Sequence, residues 1–81
     1  MKVNVLKLGK VLYSDEAEKV VLPGVLGEMC LLPHHISIVT LMREGMVKIF
    51  ASENATPTKI QISGGVCSLS NGVASLVLYG E

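Results

Sequence analysis

The feature that most restricts how this chain can fold is a period-two alternation of apolar and polar residues, broken at short intervals by turn residues. Lys59-Ile60-Gln61-Ile62-Ser63 alternates strictly, with Ile60 and Ile62 on one face and polar side chains on the other. Successive side chains on a strand point to opposite faces, so the pattern predicts Ile60 and Ile62 inward, with Lys59 and Gln61 toward solvent or a partner. Val3, Val5 and Leu6 open a first strand, and Val11-Leu12-Tyr13 form a second, short one after Gly9-Lys10. Ala17 to Leu22 reads as a third strand closed by the turn pair Pro23-Gly24, and Met29 to Leu32 as a fourth stopped by Pro33. Ile36, Ile38 and Leu41 begin a longer strand ending at Arg43-Glu44-Gly45, after which Met46, Val47, Ile49 and Phe50 continue.

Turn chemistry supports the same reading. Asn71-Gly72 suits both central positions of a type I′ hairpin turn, with Val66 to Leu69 and Val73 to Tyr79 as flanking strands. Gly64-Gly65 marks a turn or bulge, because glycine enters positive φ without steric cost. The polar run from Ser52 to Pro57 is the clearest loop. Turn signals recur about every 8–12 residues, the spacing of an all-β sandwich or barrel. Ile36 to Arg43 is the one segment with a helical alternative, and its β-branched content favours strand. No linker, low-complexity segment or repeat divides the chain, so residues 1–81 read as one domain.

Composition narrows function more than fold. With 49% hydrophobic and 17% charged residues, the chain is too apolar for a disordered tail. Seven basic residues balance seven acidic ones, which gives no field to steer nucleic acid or an anionic membrane. Cys30 and Cys67 match no metal spacing and read as free thiols, with an inter-strand disulfide as the alternative. The N-terminus alternates in polarity and shows no signal-peptide pattern, and the apolar stretch Ile36 to Met42 is far short of a membrane span.

No constellation for catalysis stands out. His34 and His35 are adjacent, so in extended chain they point to opposite faces and are poorly placed to chelate one ion. Asp15, Glu16 and Glu18 read as a solvated strand edge. No serine sits in a nucleophile elbow, and Ser63-Gly64-Gly65 is too short for a phosphate loop. The expectation is a protein without catalytic, cofactor-binding or metal-binding residues. Val25-Leu26, framed by Pro23-Gly24 and Gly27-Glu28, is an apolar pair at an exposed loop and a candidate contact point.

The stretch from Val21 through Pro23-Gly24, Gly27-Glu28, Leu31-Leu32-Pro33 and His34-His35 resembles the epsilon subunits of F-type ATP synthases. Thr40, then Gly45 with Val47 and Ile49, continues the likeness, and Ser63-Gly64-Gly65-Val66 with Val73 to Leu78 matches its closing hairpin. The resemblance covers essentially the whole chain and rests on the order and spacing of these segments. It implies the N-terminal domain of that family, a flattened two-sheet sandwich of about ten short, mainly antiparallel strands. It also implies a non-catalytic rotor subunit that links the gamma subunit to the c ring, held peripherally on the cytoplasmic side of a bacterial inner membrane. By position, Glu28 matches the acidic loop residue facing the c ring, and His35 and Thr40 match positions facing gamma. The partner-binding candidates are therefore Val25, Leu26, Gly27, Glu28, His35 and Thr40.

The sequence departs from the family pattern at His34, Ser37 and Glu44, where glycine, proline and proline are common. These changes bear on loop contacts more than on the fold. Family members commonly continue into a helical hairpin that inhibits ATP hydrolysis; the sequence reads as a short form that lacks it. The rival reading is a free-standing small β-barrel that binds a ligand or a metal through His34, His35 and Cys30.

Overall fold

The computed structural model describes residues 1–33, 37–52 and 54–80. Nine strands occupy the described residues, and no helix is among them. They are β1 (Lys2–Lys7), β2 (Lys10–Glu16), β3 (Lys19–Gly24), β4 (Gly27–Leu31), β5 (Ile38–Met42), β6 (Gly45–Phe50), β7 (Thr58–Ile62), β8 (Gly65–Ser70) and β9 (Val73–Leu78). The all-β expectation holds, with nine strands in place of about ten.

The strands form one hydrogen-bonded path, β2-β1-β9-β8-β5-β3-β6-β7, with β4 on the free side of β3. The path folds over at a corner between β5 and β3, where the ladder narrows to the single pair Gly24↔Met42. Two further backbone bonds hold that corner: Val25 N donates to Leu41 O at 3.1 Å, and Arg43 N donates to Pro23 O at 2.8 Å. Gly45 lets the chains close there, because a Cβ at that position would lie 2.9 Å from Pro23 Cβ. On one side of the corner stand β2, β1, β9, β8 and β5; on the other stand β3, β4, β6 and β7. All neighbours are antiparallel except β1 and β9, which run parallel from Lys2↔Val73 to Lys7↔Leu78.

Alternation decides what lies between the halves. Val3, Val5, Met42, Cys67, Leu69, Ala74, Leu76 and Leu78 come from the first half. Val20, Leu22, Leu31, Val47, Ile49 and Ile62 come from the second, and all join one core with Ala17. Ile62 is buried, Ile60 packs against the core, and Lys59 and Gln61 are exposed, the phase that the sequence predicts.

Turn positions follow the sequence in part. Asn71 and Gly72 take positive φ, 51° and 76°, as a type I′ turn requires. Leu8 and Gly9 do the same between β1 and β2, at 52° and 77°, although leucine gives no such signal. Pro23-Gly24 is not the turn expected; both residues belong to β3, and Val25-Leu26 make the turn. Proline is tolerated because β3 changes partner there, from β6 at Lys19–Val21 to β5 at Gly24, and a missing N–H costs least in such a gap. The second strand is also longer than Val11-Leu12-Tyr13. Lys10–Glu16 are all paired with β1 apart from Leu12, which bulges opposite Val5 and Leu6, and Asp15 and Glu16 lie at the sheet edge because β2 ends the strand order.

Both cysteines are free thiols, Cys30 exposed on β4 and Cys67 buried on β8. Burial pushes the Cys67 thiol up from 9.0 to about 11. In the unfolded chain it ionises near its ordinary value while the folded thiol stays protonated. The unfolded state then holds fewer protons, so this group's contribution to stability is complete below pH 9.0 and is lost as pH rises toward about 11. A Cys67→Ala variant should show a shallower loss of stability across that window, measured by urea unfolding. In the native protein a thiol reagent at pH 8 should label Cys30 alone.

Truncation of the buried Leu76 to alanine should cost about 2–5 kcal/mol, read from the urea midpoint. Gly65→Ala should be at least as damaging, because a Cβ there would overlap the backbone carbonyl oxygen of Val77. An unchanged midpoint for either would contradict the packing described.

Candidate functional site

The β3–β4 hairpin projects a tip made by Val25 and Leu26. Its tightness comes from glycine on both sides. Gly27 has φ +134°, where L side chains are strained, and a Cβ at Gly24 would lie 2.8 Å from Gly27 O. Leu26 is fully exposed and Val25 about half exposed, so the tip does not fold back onto the core. Apolar side chains held outward on a short hairpin make the tip a candidate contact point.

Beside the tip lies an open hollow of about 310 Å³, lined by Pro23, Gly24, Gly27 and Glu28 from the hairpin and by Arg43, Glu44, Met46 and Lys48 from β6 and the turn before it. Two carboxylates and two cations share it. The Glu28 side chain is exposed and has no hydrogen bond or ion pair among the described residues, so its charge is available to an outside group. Met46, exposed on β6, adds an adaptable apolar wall.

The other candidates lie elsewhere. Thr40 sits on the same face of β5 as Ile38 and Met42, opposite Cys67, and its hydroxyl donates to Leu41 O at 3.5 Å. It is therefore turned toward the core side, and its neighbours Val39 and Leu41 are the exposed residues of this strand. The tip reaches β5 through the Val25 N to Leu41 O bond, so Val25, Leu26, Gly27 and Glu28 form one cluster with Thr40 next to its margin. His35 lies outside the described residues, as does His34. Among the described residues, no three His, Cys, Asp or Glu side chains gather as metal ligands.

The alternation reading did not single out a second surface. The outer face of the β2-β1-β9-β8-β5 layer exposes Val11 at 62%, Val39 at 74%, Leu41 at 51% and Val77 at 51%. Val39, Leu41 and Val77 lie in strands whose opposite face fills the core, and Val11 lies in β2, of which Tyr13 packs against it. Only the pairing of distant strands brings them side by side, so no local signal could have revealed the patch.

Three comparisons bear on this geometry. The family model for the β-sandwich domain of the ATP synthase Delta/Epsilon chain matches residues 1–78. A Burkholderia orbicola protein named ATP synthase epsilon chain 2 is 30% identical over 77 residues, covering 95% of this chain and 51% of that protein. The ATP synthase epsilon chain of Herminiimonas arsenicoxydans is 35% identical over 77 residues, covering 94% and 55%. The chain thus spans about half the length of the curated relatives it matches. Among solved structures, a chain of the Euglena gracilis mitochondrial ATP synthase (OSCP/F1/c-ring) superposes with a TM-score of 0.82 at 19% identity, covering 94% of this chain and 48% of that one. A chain from the central stalk and c-ring of the Tetrahymena thermophila mitochondrial ATP synthase superposes at 0.79 with 13% identity, covering 98% and 63%. The nine-strand sandwich and the match over nearly its full length place this protein in the ATP synthase Delta/Epsilon chain β-sandwich domain family.

Proposed function

We propose that this chain is a non-catalytic central-stalk subunit of a proton-translocating F-type ATP synthase, joining the gamma subunit to the c ring so that rotation is coupled to ATP synthesis. The observation that carries the reading is the glycine-framed β3–β4 hairpin, which holds Leu26 fully exposed and Glu28 without an ion pair among the described residues. A coupling element needs a stiff body with separate contact surfaces. The tip supplies one, and the exposed face of the β1–β9 layer supplies another. Relatives named ATP synthase epsilon chain, and structural neighbours from stalk and c-ring assemblies, support the same role. In this reading the tip residues Val25, Leu26, Gly27 and Glu28 meet the c ring, and β5 at Thr40, through its exposed neighbours Val39 and Leu41, and the segment with His35 adjoin gamma. The protein would then be peripheral, on the cytoplasmic side of a bacterial inner membrane, and attached only through the complex.

Two experiments test this. The chain should co-purify with the gamma subunit at one-to-one stoichiometry without added nucleotide; a clean negative at micromolar concentration would reject the role. Glu28→Ala should leave the melting temperature unchanged and weaken ATP-driven proton pumping modestly in the reassembled complex, since an exposed charge pair contributes about 0.2–1 kcal/mol. Glu28→Lys should impair pumping more, because attraction becomes repulsion at the same contact. Lost stability with normal pumping would instead make Glu28 a purely internal turn residue.

A further inference from the structure

Asn71-Gly72 enters the fold as a hairpin turn, and the same pair carries a covalent chemistry of its own. Asparagine is a thermolabile side chain. Its amide carbon is open to attack by the next residue's backbone nitrogen, and a following glycine leaves that nitrogen without a flanking Cβ. Of the three asparagines, Asn4, Asn54 and Asn71, only Asn71 precedes glycine. The fold separates them further. Asn4 lies inside β1 between β2 and β9, its Oδ1 accepts from the Ser14 hydroxyl at 2.8 Å, and the β-branched Val5 follows it. Asn54 stands in the loop before β7, and the nitrogen that follows it is engaged, Ala55 N donating to Ser52 O at 3.2 Å. Asn71 and Gly72 are both exposed. Neither the Asn71 side-chain amide nor the Gly72 N–H makes a hydrogen bond among the described residues. A Cβ added at Gly72 would meet no atom within 4 Å beyond its chain neighbours, so nothing covers the junction.

We infer that Asn71 is a site of spontaneous deamidation, the one asparagine of this chain whose electrophile and nucleophile both stand free. Gly72 N attacks Asn71 Cγ: an N–Cγ bond forms, the Cγ–Nδ2 bond breaks, and the Gly72 amide proton leaves with Nδ2 as ammonia. The five-membered succinimide then takes up one water. Opening at the Cγ–N bond gives aspartate in an ordinary chain. Opening at the backbone C–N bond gives isoaspartate, with the main chain routed through Cβ and Cγ and so longer by one carbon. Water is the only co-reactant.

The two products differ in what they do to the fold. Asp-Gly suits the same type I′ turn, so aspartate leaves the hairpin in place. Isoaspartate lengthens a two-residue loop that sets the register of β8 against β9, from Ser70↔Val73 onward. That loop also holds the start of β1, since Lys2 N donates to Gly72 O at 2.9 Å and Lys2 pairs with Val73. Either product adds one negative charge to a chain whose formal net charge is zero. The inference is independent of the stalk role.

The test is incubation of the folded chain at 37 °C and pH 8, followed by peptide mass mapping and by labelling with an isoaspartate-specific methyltransferase. Asn71 should gain the mass of an amide-to-acid exchange ahead of Asn54 and Asn4, and hydroxylamine should cleave the chain between residues 71 and 72 while the succinimide persists. The isoaspartate fraction, separated by ion exchange, should melt about 4–8 °C below the untreated chain, whereas the Asn71→Asp variant should melt with it. Conversion of Asn54 ahead of Asn71 overturns the inference. Conversion of Asn71 in urea but not in the folded chain also overturns it, by showing that the closed turn keeps Gly72 N from Cγ. An isoaspartate fraction that melts with the untreated chain overturns the consequence drawn for the hairpin.

Discussion

Everything in this sandwich depends on the phase of its strands, and that phase is locked where β1 lies between β9 and β2. Val3 and Val5 must face the core beside Ala74 and Leu76, which fixes the parallel register Lys2↔Val73 through Lys7↔Leu78. A slip of one residue would send Val3 and Val5 to solvent and bring Asn4 and Leu6 inward. The same register decides which side chains stand together on the outer face. Core and outer face are thus two sides of one constraint, and the protein cannot repack one without redrawing the other.

Much of the fold was legible because its causes are local. Alternation at Lys59–Ile62 and the Asn71-Gly72 turn depend on adjacent residues and on glycine's freedom at positive φ, and both are as expected. Misreadings arose where tertiary contacts override local chemistry. Pro23-Gly24 looks like a turn, yet β3 runs straight through it, because the corner bonds from Arg43 N and to Leu41 O hold that segment extended. Leu8 is driven to positive φ by the need to return β2 along β1, against its own preference. The β1–β9 pairing joins residues some seventy positions apart, and no sequence pattern announces it.

The candidate site divides in the same way. The tip at Val25 and Leu26 was readable, since an apolar pair framed by glycines has few ways to be buried. Thr40 was harder to place. Its position in the likeness to epsilon subunits says nothing of which way β5 faces, and pairing with Cys67 turns it to the core side while Val39 and Leu41 face out. The outer apolar patch was invisible because Val11, Val39, Leu41 and Val77 belong to separate strands whose alternations say nothing of their pairing. Each looks like an ordinary surface residue until the register assembles them.

An apolar face this open carries an aggregation hazard, and the sheet edges limit one route to it. Unpaired backbone, more than exposed side chains, templates the addition of foreign strands. The three edges are each guarded: β2 by Lys10, Asp15 and Glu16 with a bulge beside its partner, β4 by Glu28 and the proline that follows at Pro33, and β7 by Lys59 after Pro57. The exposed Val39, Leu41 and Val77 stand on β5 and β9, away from those edges, while Val11 lies on the edge strand β2 itself. A chain that charges its edges while leaving a central face uncharged separates non-specific strand addition from specific docking. That separation is what a subunit needs if it must stay dispersed before assembly and hold tightly after it.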